Sequence, residues 1–158
     1  MIAVGEDAPA FTLRNQDGEE VSLSDFSGRR VMLVFYPLDF SPVCSDQLSL
    51  YQEVKPELAA RNLELVGVSV DSAWAHKAFR EKLGIDTLLL ADFEPKGEVA
   101  RAYDTYIEGA GIANRTLVLI DEGGKVAWTY ESPNPGEYPG ANVIFDALDT
   151  LESAPAGG

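Results

Sequence analysis

Runs of apolar residues separated by stretches with helical spacing set the framework of this chain. Val31 to Tyr36, Leu63 to Val70, Thr87 to Ala91 and Leu117 to Ile120 are rich in aliphatic and β-branched residues. That composition predicts strands covered on both faces. Val126 to Tyr130 predicts a further strand, joined to the one before it by the hairpin connection Glu122-Gly123-Gly124. Leu48, Tyr51, Val54 and Leu58 recur at spacings of three and four, which predicts a helix from Ser41-Pro42 towards Arg61. Pro56 lies inside that pattern and predicts a kink or break near Lys55, because proline costs a helix one hydrogen bond.

Ala73 to Leu83 is also helical in spacing, with Asp71 or Ser72 as its cap and Gly84 as its stop. Pro95 to Tyr103 predicts a short helix, followed by an open loop through Gly109 and Gly111. A Pro/Gly-rich loop from Ser132 to Gly140 leads to a last helix from about Asn142 to Leu151. Near the start, Phe11–Arg14 and Glu20–Leu23 predict a hairpin around Asp17-Gly18, with a loop or single helical turn over Ser24–Gly28. Strands alternating with helices mean an α/β fold, and periodicity alone goes no further. No internal repeat or linker interrupts the chain. Its 158 residues suit a single domain over residues 1–152, with a small polar tail from 153 to 158 expected to be disordered.

Composition narrows the function. The net charge is −14, with 26 acidic residues against 12 lysines and arginines. Such a surface repels phosphate backbones, and no basic or aromatic stripe offsets it, so nucleic acid is not an expected partner. A dense carboxylate surface would also keep a protein hydrated at high salt, but plain solubility is the simpler account. No apolar run reaches the length of a membrane span and no signal-like segment opens the sequence, so a cytoplasmic protein is expected. One cysteine forms no internal disulfide, and an oxidising compartment would bring it no structural benefit.

That cysteine, Cys44, is the candidate for chemistry. Pro37 ends the strand before it, since proline has no N–H for the ladder. Ser41 followed by Pro42 is a helix start, with serine as N-cap and proline at the first helical position. Cys44 therefore falls in the first turn, where unpaired N–H groups point outward and the macrodipole is positive. The field there favours thiolate over thiol and so a nucleophilic sulfur. A lone cysteine is more often a small buried hydrophobe, but a strand-to-helix corner behind a proline and a hydroxyl cap suits reaction better than packing. Gln47, three residues on, shares its helix face. His76 is a conceivable base for Cys44, since Cys–His pairs drive acyl transfer. With no second signal near it on its helix, a surface or half-buried histidine is expected. No His, Cys or carboxylate cluster has metal-ligand spacing and no Gly-rich phosphate loop follows a strand, so neither metal nor cofactor is expected.

Pro37, Ser41 and Cys44 resemble the Pro-x-x-x-Thr/Ser-x-x-Cys pattern of the peroxiredoxin family. The resemblance extends through Val4-Gly-Glu-Asp-Ala-Pro-Ala-Phe-Thr-Leu13 and Gly111-Ile-Ala-Asn-Arg-Thr-Leu-Val-Leu-Ile-Asp121. Asp92-Phe-Glu-Pro-Lys-Gly97 and Gly109-Ala-Gly-Ile-Ala-Asn-Arg115 are most similar to the one-cysteine, alkyl hydroperoxide reductase E-type members. Ser41 stands where threonine is usual, and Gln47 where glutamate is frequent. The resemblance implies a thioredoxin-like fold, a central mixed sheet flanked by helices with an N-terminal β-hairpin. It implies reduction of hydrogen peroxide, organic hydroperoxides or peroxynitrite at Cys44. Arg115 would hold the thiolate and peroxide oxygens, Ser41 would hydrogen-bond both, and Pro37 would shield the sulfur. Gln47 would orient Arg115, and Val43, inside the motif, is counted with it as supporting.

With no second cysteine, the oxidised sulfur would need an external low-molecular-weight thiol and a glutaredoxin- or thioredoxin-like reductant. The family commonly pairs, which implies a homodimer or higher homo-oligomer. A non-catalytic redox sensor or chaperone-like module on the same fold is the alternative. A thioredoxin-type disulfide oxidoreductase would need a Cys-x-x-Cys pair that the chain lacks.

Overall fold

Alternating side chains along the central strands feed two separate apolar layers. In a computed structural model that describes residues 2–134 and 136–153, the strands are β1 (Thr12–Asn15), β2 (Glu20–Ser22), β3 (Arg30–Phe35), β4 (Leu63–Ser69), β5 (Leu88–Ala91), β6 (Tyr106–Ile107), β7 (Ile112–Ala113), β8 (Thr116–Ile120) and β9 (Val126–Glu131). The helices are α1 (Pro42–Ala60), α2 (Ala73–Leu83), α3 (Glu98–Ala102) and α4 (Ala141–Ser153), and a 3₁₀ turn covers Leu23–Phe26. The main sheet runs β2-β1-β5-β4-β3-β8-β9. Its centre, β5-β4-β3, is parallel, and antiparallel strands flank it on both sides. Met32, Val34, Leu65, Leu89, Leu117 and Leu119 face a layer shared with Leu48, Tyr51 and Leu58 of α1, Phe79 of α2 and Ile144 of α4. Val31, Leu33, Phe35, Val66, Val68 and Val118 face the other layer, with Phe11, Phe26, Val99 and Tyr103. Each fully buried side chain of this kind contributes about 1.5–3 kcal/mol.

The N-terminal hairpin pairs Leu13 with Val21, in the place that Asp17-Gly18 predicts. Helix α2 starts at the Ser72 cap, whose hydroxyl accepts from Ala75 N–H at 3.2 Å, and stops at Gly84, φ +66°. Sequence expectations fail in three places. Helix α1 continues through Pro56 over 19 residues, so the missing N–H does not break it while Leu48, Tyr51 and Leu58 hold its inner face to the sheet. Helix α3 begins only at Glu98, because Gly97 (φ +73°) turns the chain in the left-handed region just before it. The expected loop through Gly109 and Gly111 is in place, as the tip of the small β6–β7 hairpin in which Tyr106 pairs with Ala113. Ser153, assigned to the tail, ends α4, and residues 154–158 of that tail lie outside the described residues.

Candidate active site

Strand β3, between β4 and β8, delivers the chain to one end of the sheet, and the loop from Tyr36 to Ser41 turns it into α1. Ser41 is the N-cap of α1 (φ −68°, ψ 143°), and its Oγ accepts from Cys44 N–H at 3.4 Å. Ser45 Oγ donates to the Ser41 carbonyl at 3.0 Å, securing the same turn from the other side. Cys44 stands at the third helical position, where the first N–H groups of α1 have no intrahelical acceptor. Its side chain is fully buried, against the core layer of Met32, Val34 and Leu48. Pro37 is buried, while Val43 is half-buried in the first turn.

Gln47, one turn along α1, is also fully buried and accepts from Arg115 Nη1 at 2.9 Å. Its amide donates to Tyr51 Oη at 3.2 Å, and Tyr51 donates in turn to the Pro139 carbonyl at 2.6 Å. Burial pushes the Tyr51 hydroxyl well above its ordinary titration range, so it works as a neutral link. Arg115 is 1% exposed at the start of β8. Thr116, beside it, pairs with Phe35 of β3, and this register carries the guanidinium to the Cys44 end of the sheet. The turn is latched twice: Ser132 N–H donates to the Arg115 carbonyl at 2.9 Å, and Asn114 N–H to the Thr105 carbonyl at 2.8 Å. Gln47 is neutral, so this hydrogen bond holds the buried guanidinium without adding a charge beside it. The fold thus carries Ser41, Cys44 and Gln47 along the first two turns of α1, Pro37 on the loop before it, and Arg115 just before β8, where it meets Gln47.

His76 and its surroundings depart from what the sequence suggests. His76 is fully buried, not a surface or half-buried side chain. Its Nδ1 lies 2.7 Å from Asp39 Oδ2 and its Nε2 lies 2.9 Å from the Leu90 carbonyl, so neither nitrogen is left as a base for Cys44. Helical spacing on α2 could have placed His76 beside Phe79 on the inner face, but nothing in the sequence tied it to Asp39. Asp39, His76 and Asp71 also bring three ligand-type atoms within 4.8 Å, which linear spacing did not show. Hydrogen bonds account for them: Asp71 Oδ2 accepts from Ser69 Oγ at 2.5 Å and Asp39 N–H at 2.8 Å, while Asp39 engages Tyr36 and His76.

The AhpC/TSA family model matches residues 4–129. The chain belongs to that family. It is 36% identical over 152 residues to alkyl hydroperoxide reductase E of Mycobacterium tuberculosis, covering 96% of this chain and 99% of that protein. Among solved structures, AhpC of Enterococcus faecalis aligns with a TM-score of 0.88 at 28% identity over 96% of this chain and 93% of the other. Peroxidoxin BcpB of Mycobacterium tuberculosis aligns with a TM-score of 0.84 at 26% identity, over 98% of this chain and 99% of the other. The sheet and its helices are thus those of the peroxiredoxins, with a thioredoxin-like fold. Within this peroxiredoxin chain a single cysteine is present.

Proposed function

We propose that this chain is a thiol-dependent peroxidase working through Cys44 alone. The observation that carries the reading is the sole thiol in the first turn of α1, one turn from the buried Gln47–Arg115 pair. The thiolate attacks the terminal oxygen of hydrogen peroxide, an organic hydroperoxide or peroxynitrite. An S–O bond forms, the O–O bond breaks, and the departing oxygen leaves as an anion, an alkoxide taking a proton from solvent. The sulfur is oxidised by two electrons to sulfenic acid and the peroxide is reduced. In this reading Ser41 Oγ and Arg115 hydrogen-bond the peroxide oxygens, and Pro37 keeps water from the sulfur. Gln47 fixes the guanidinium, with Val43 beside Cys44.

Recovery takes an external low-molecular-weight thiol, which condenses with the sulfenic acid to a mixed disulfide and releases water. A glutaredoxin- or thioredoxin-like dithiol protein then frees Cys44. A reducing compartment such as the cytoplasm suits this cycle. Among the described residues no helix is long and apolar enough to cross a membrane. Leu38 (41% exposed), Phe40 (45%), Trp74 (82%) and Phe93 (54%) leave apolar surface uncovered in one chain, which supports a homodimer or larger homo-oligomer.

One experiment tests the peroxidase. Reduced protein mixed with stoichiometric hydrogen peroxide should lose its thiol far faster than free cysteine does, and Cys44→Ser should turn over no peroxide while keeping the parent circular dichroism. Thiol loss at the rate of free cysteine would leave a non-catalytic module on this fold instead. Adding peroxide and then excess small thiol should give one mixed disulfide per chain by intact mass. A disulfide-linked dimer as the main product would overturn the external-thiol cycle.

A further inference from the structure

Behind the reactive turn lies a buried set of polar side chains that the peroxide chemistry does not use. Asp39 sits in the loop between Pro37 and Ser41; its neighbours Leu38 and Phe40 are exposed, whereas its own side chain is fully covered. Asp39 Oδ1 accepts from the Tyr36 hydroxyl at 2.6 Å, and Oδ2 is 2.7 Å from His76 Nδ1. Its backbone N–H donates to Asp71 Oδ2 at 2.8 Å. His76 Nε2 faces the Leu90 carbonyl at 2.9 Å; a carbonyl only accepts, so Nε2 carries a hydrogen. The loop is therefore tied to β3 through Tyr36, to α2 through His76, and to the end of β4 through Asp71.

This tie bears on the next two residues of the loop. Phe40 has φ +68°, a left-handed conformation that is uncommon for an aromatic residue and persists only where its surroundings hold it. Phe40 leads directly into Ser41, whose Oγ caps the turn bearing Cys44. We propose that Asp39 and His76 are positioning residues: they hold the Phe40 turn and so set where Pro37 and Ser41 stand against Cys44. The proposal rests on the peroxidase reading for its kinetic consequence only; the structural part stands apart from it.

The test compares Asp39→Ala with Asp39→Asn. Asparagine keeps the shape and both contacts, its oxygen accepting from Tyr36 and its NH₂ donating to Nδ1 of a neutral His76 protonated at Nε2, so the contact to His76 survives with its direction reversed. Alanine removes both. Oxidation of Cys44 by hydrogen peroxide, followed by stopped flow, should slow at least about tenfold in Asp39→Ala and stay within about threefold of the parent in Asp39→Asn. Amide hydrogen exchange at Phe40, Ser41 and Cys44 should rise in Asp39→Ala and not in Asp39→Asn. A folded Asp39→Ala that oxidises at the parent rate, or an Asp39→Asn as slow as Asp39→Ala, would overturn the proposal. Where Asp39→Ala does not fold, His76→Gln, whose amide reaches the Leu90 carbonyl but not Asp39, takes its place against Asp39→Asn with the same outcomes. Should the parent itself react no faster than free cysteine, the peroxidase reading fails, and exchange at these amides still decides whether the pair holds the turn.

Discussion

At the scale of single residues, the site pairs a small polar cap with a buried charge. Ser41 supplies the oxygen over the Cys44 N–H, and Arg115 supplies a cation that burial would make costly without partners. Gln47 meets part of that need through its 2.9 Å hydrogen bond. Arg115→Met should therefore slow peroxide attack by at least about tenfold, equivalent to about 1.4 kcal/mol of barrier. Stopped-flow oxidation at several peroxide concentrations measures this, and a parental rate would remove Arg115 from the chemistry. The residues of this site were legible in the sequence to unequal degrees. Pro37, Ser41 and Cys44 lie within eight positions of one another and announce a strand-to-helix corner. Arg115 is 68 positions from Gln47, so only the family resemblance named it. Asp39 and His76, 37 positions apart, gave no local signal at all, because their partnership is created by the packing of α2 against β5.

At the scale of elements, turn chemistry was readable and tertiary compensation was not. Ser72 and Gly84 bracket α2 because a hydroxyl cap and a left-handed glycine act through their immediate neighbours. Pro56 misled because the buried face of α1 outweighs one lost hydrogen bond. Gly67 of β4 shows the same dependence on packing: a Cβ there would lie 2.6 Å from Leu89 Cδ2 and 3.2 Å from the Tyr36 ring. Gly67→Ala should cost about 1–3 kcal/mol in urea unfolding, as overpacking of a tight core does, and an unchanged midpoint would show that Tyr36 and Leu89 can yield. Asp92 organises α3 from outside, accepting from Val99 N–H at 3.0 Å and Ala100 N–H at 2.9 Å. Burial raises its carboxyl above the ordinary value, against the pull of those two N–H groups. The folded state then holds the proton to a higher pH than the unfolded chain. The stability this contributes is fully present below the unfolded value and lost as pH rises through the folded one. Relative to Asp92→Asn, the parent should gain stability as pH is lowered through the carboxylate range. Denaturant unfolding of both across that range reads the difference, and parallel pH profiles would contradict it.

For the whole molecule the dominant electrostatic fact is excess negative charge. Arg30 reaches Glu122 at 3.3 Å and Glu152 at 2.8 Å, and Arg61 reaches Asp149 and Glu152 at 2.8 Å each. These contacts tie α4 to the start of β3 and the end of α1, but at a partly exposed surface each contributes little. With a net charge of −14, repulsion among the remaining carboxylates should outweigh them. Raising salt from about 0.01 M to about 0.1 M shortens the screening length from about 30 Å to about 10 Å. The thermal midpoint should rise over that interval, whereas a fall would mean that the ion pairs around Glu152 govern stability. The layered α/β arrangement was legible in the order of apolar runs. The mixed sheet was reached through the resemblance, because apolar periodicity carries no information about which strands adjoin.

The complete covering of the one thiol makes this protein its own clock. A bulky thiol reagent labels Cys44 only during openings that uncover it. Its labelling rate in the native state, divided by the rate for the unfolded chain, then gives the equilibrium fraction of open molecules when reclosing is fast. Each tenfold slowing corresponds to about 1.4 kcal/mol of opening free energy. Because no second thiol competes, every modified molecule counted by mass spectrometry records one such opening at a known place.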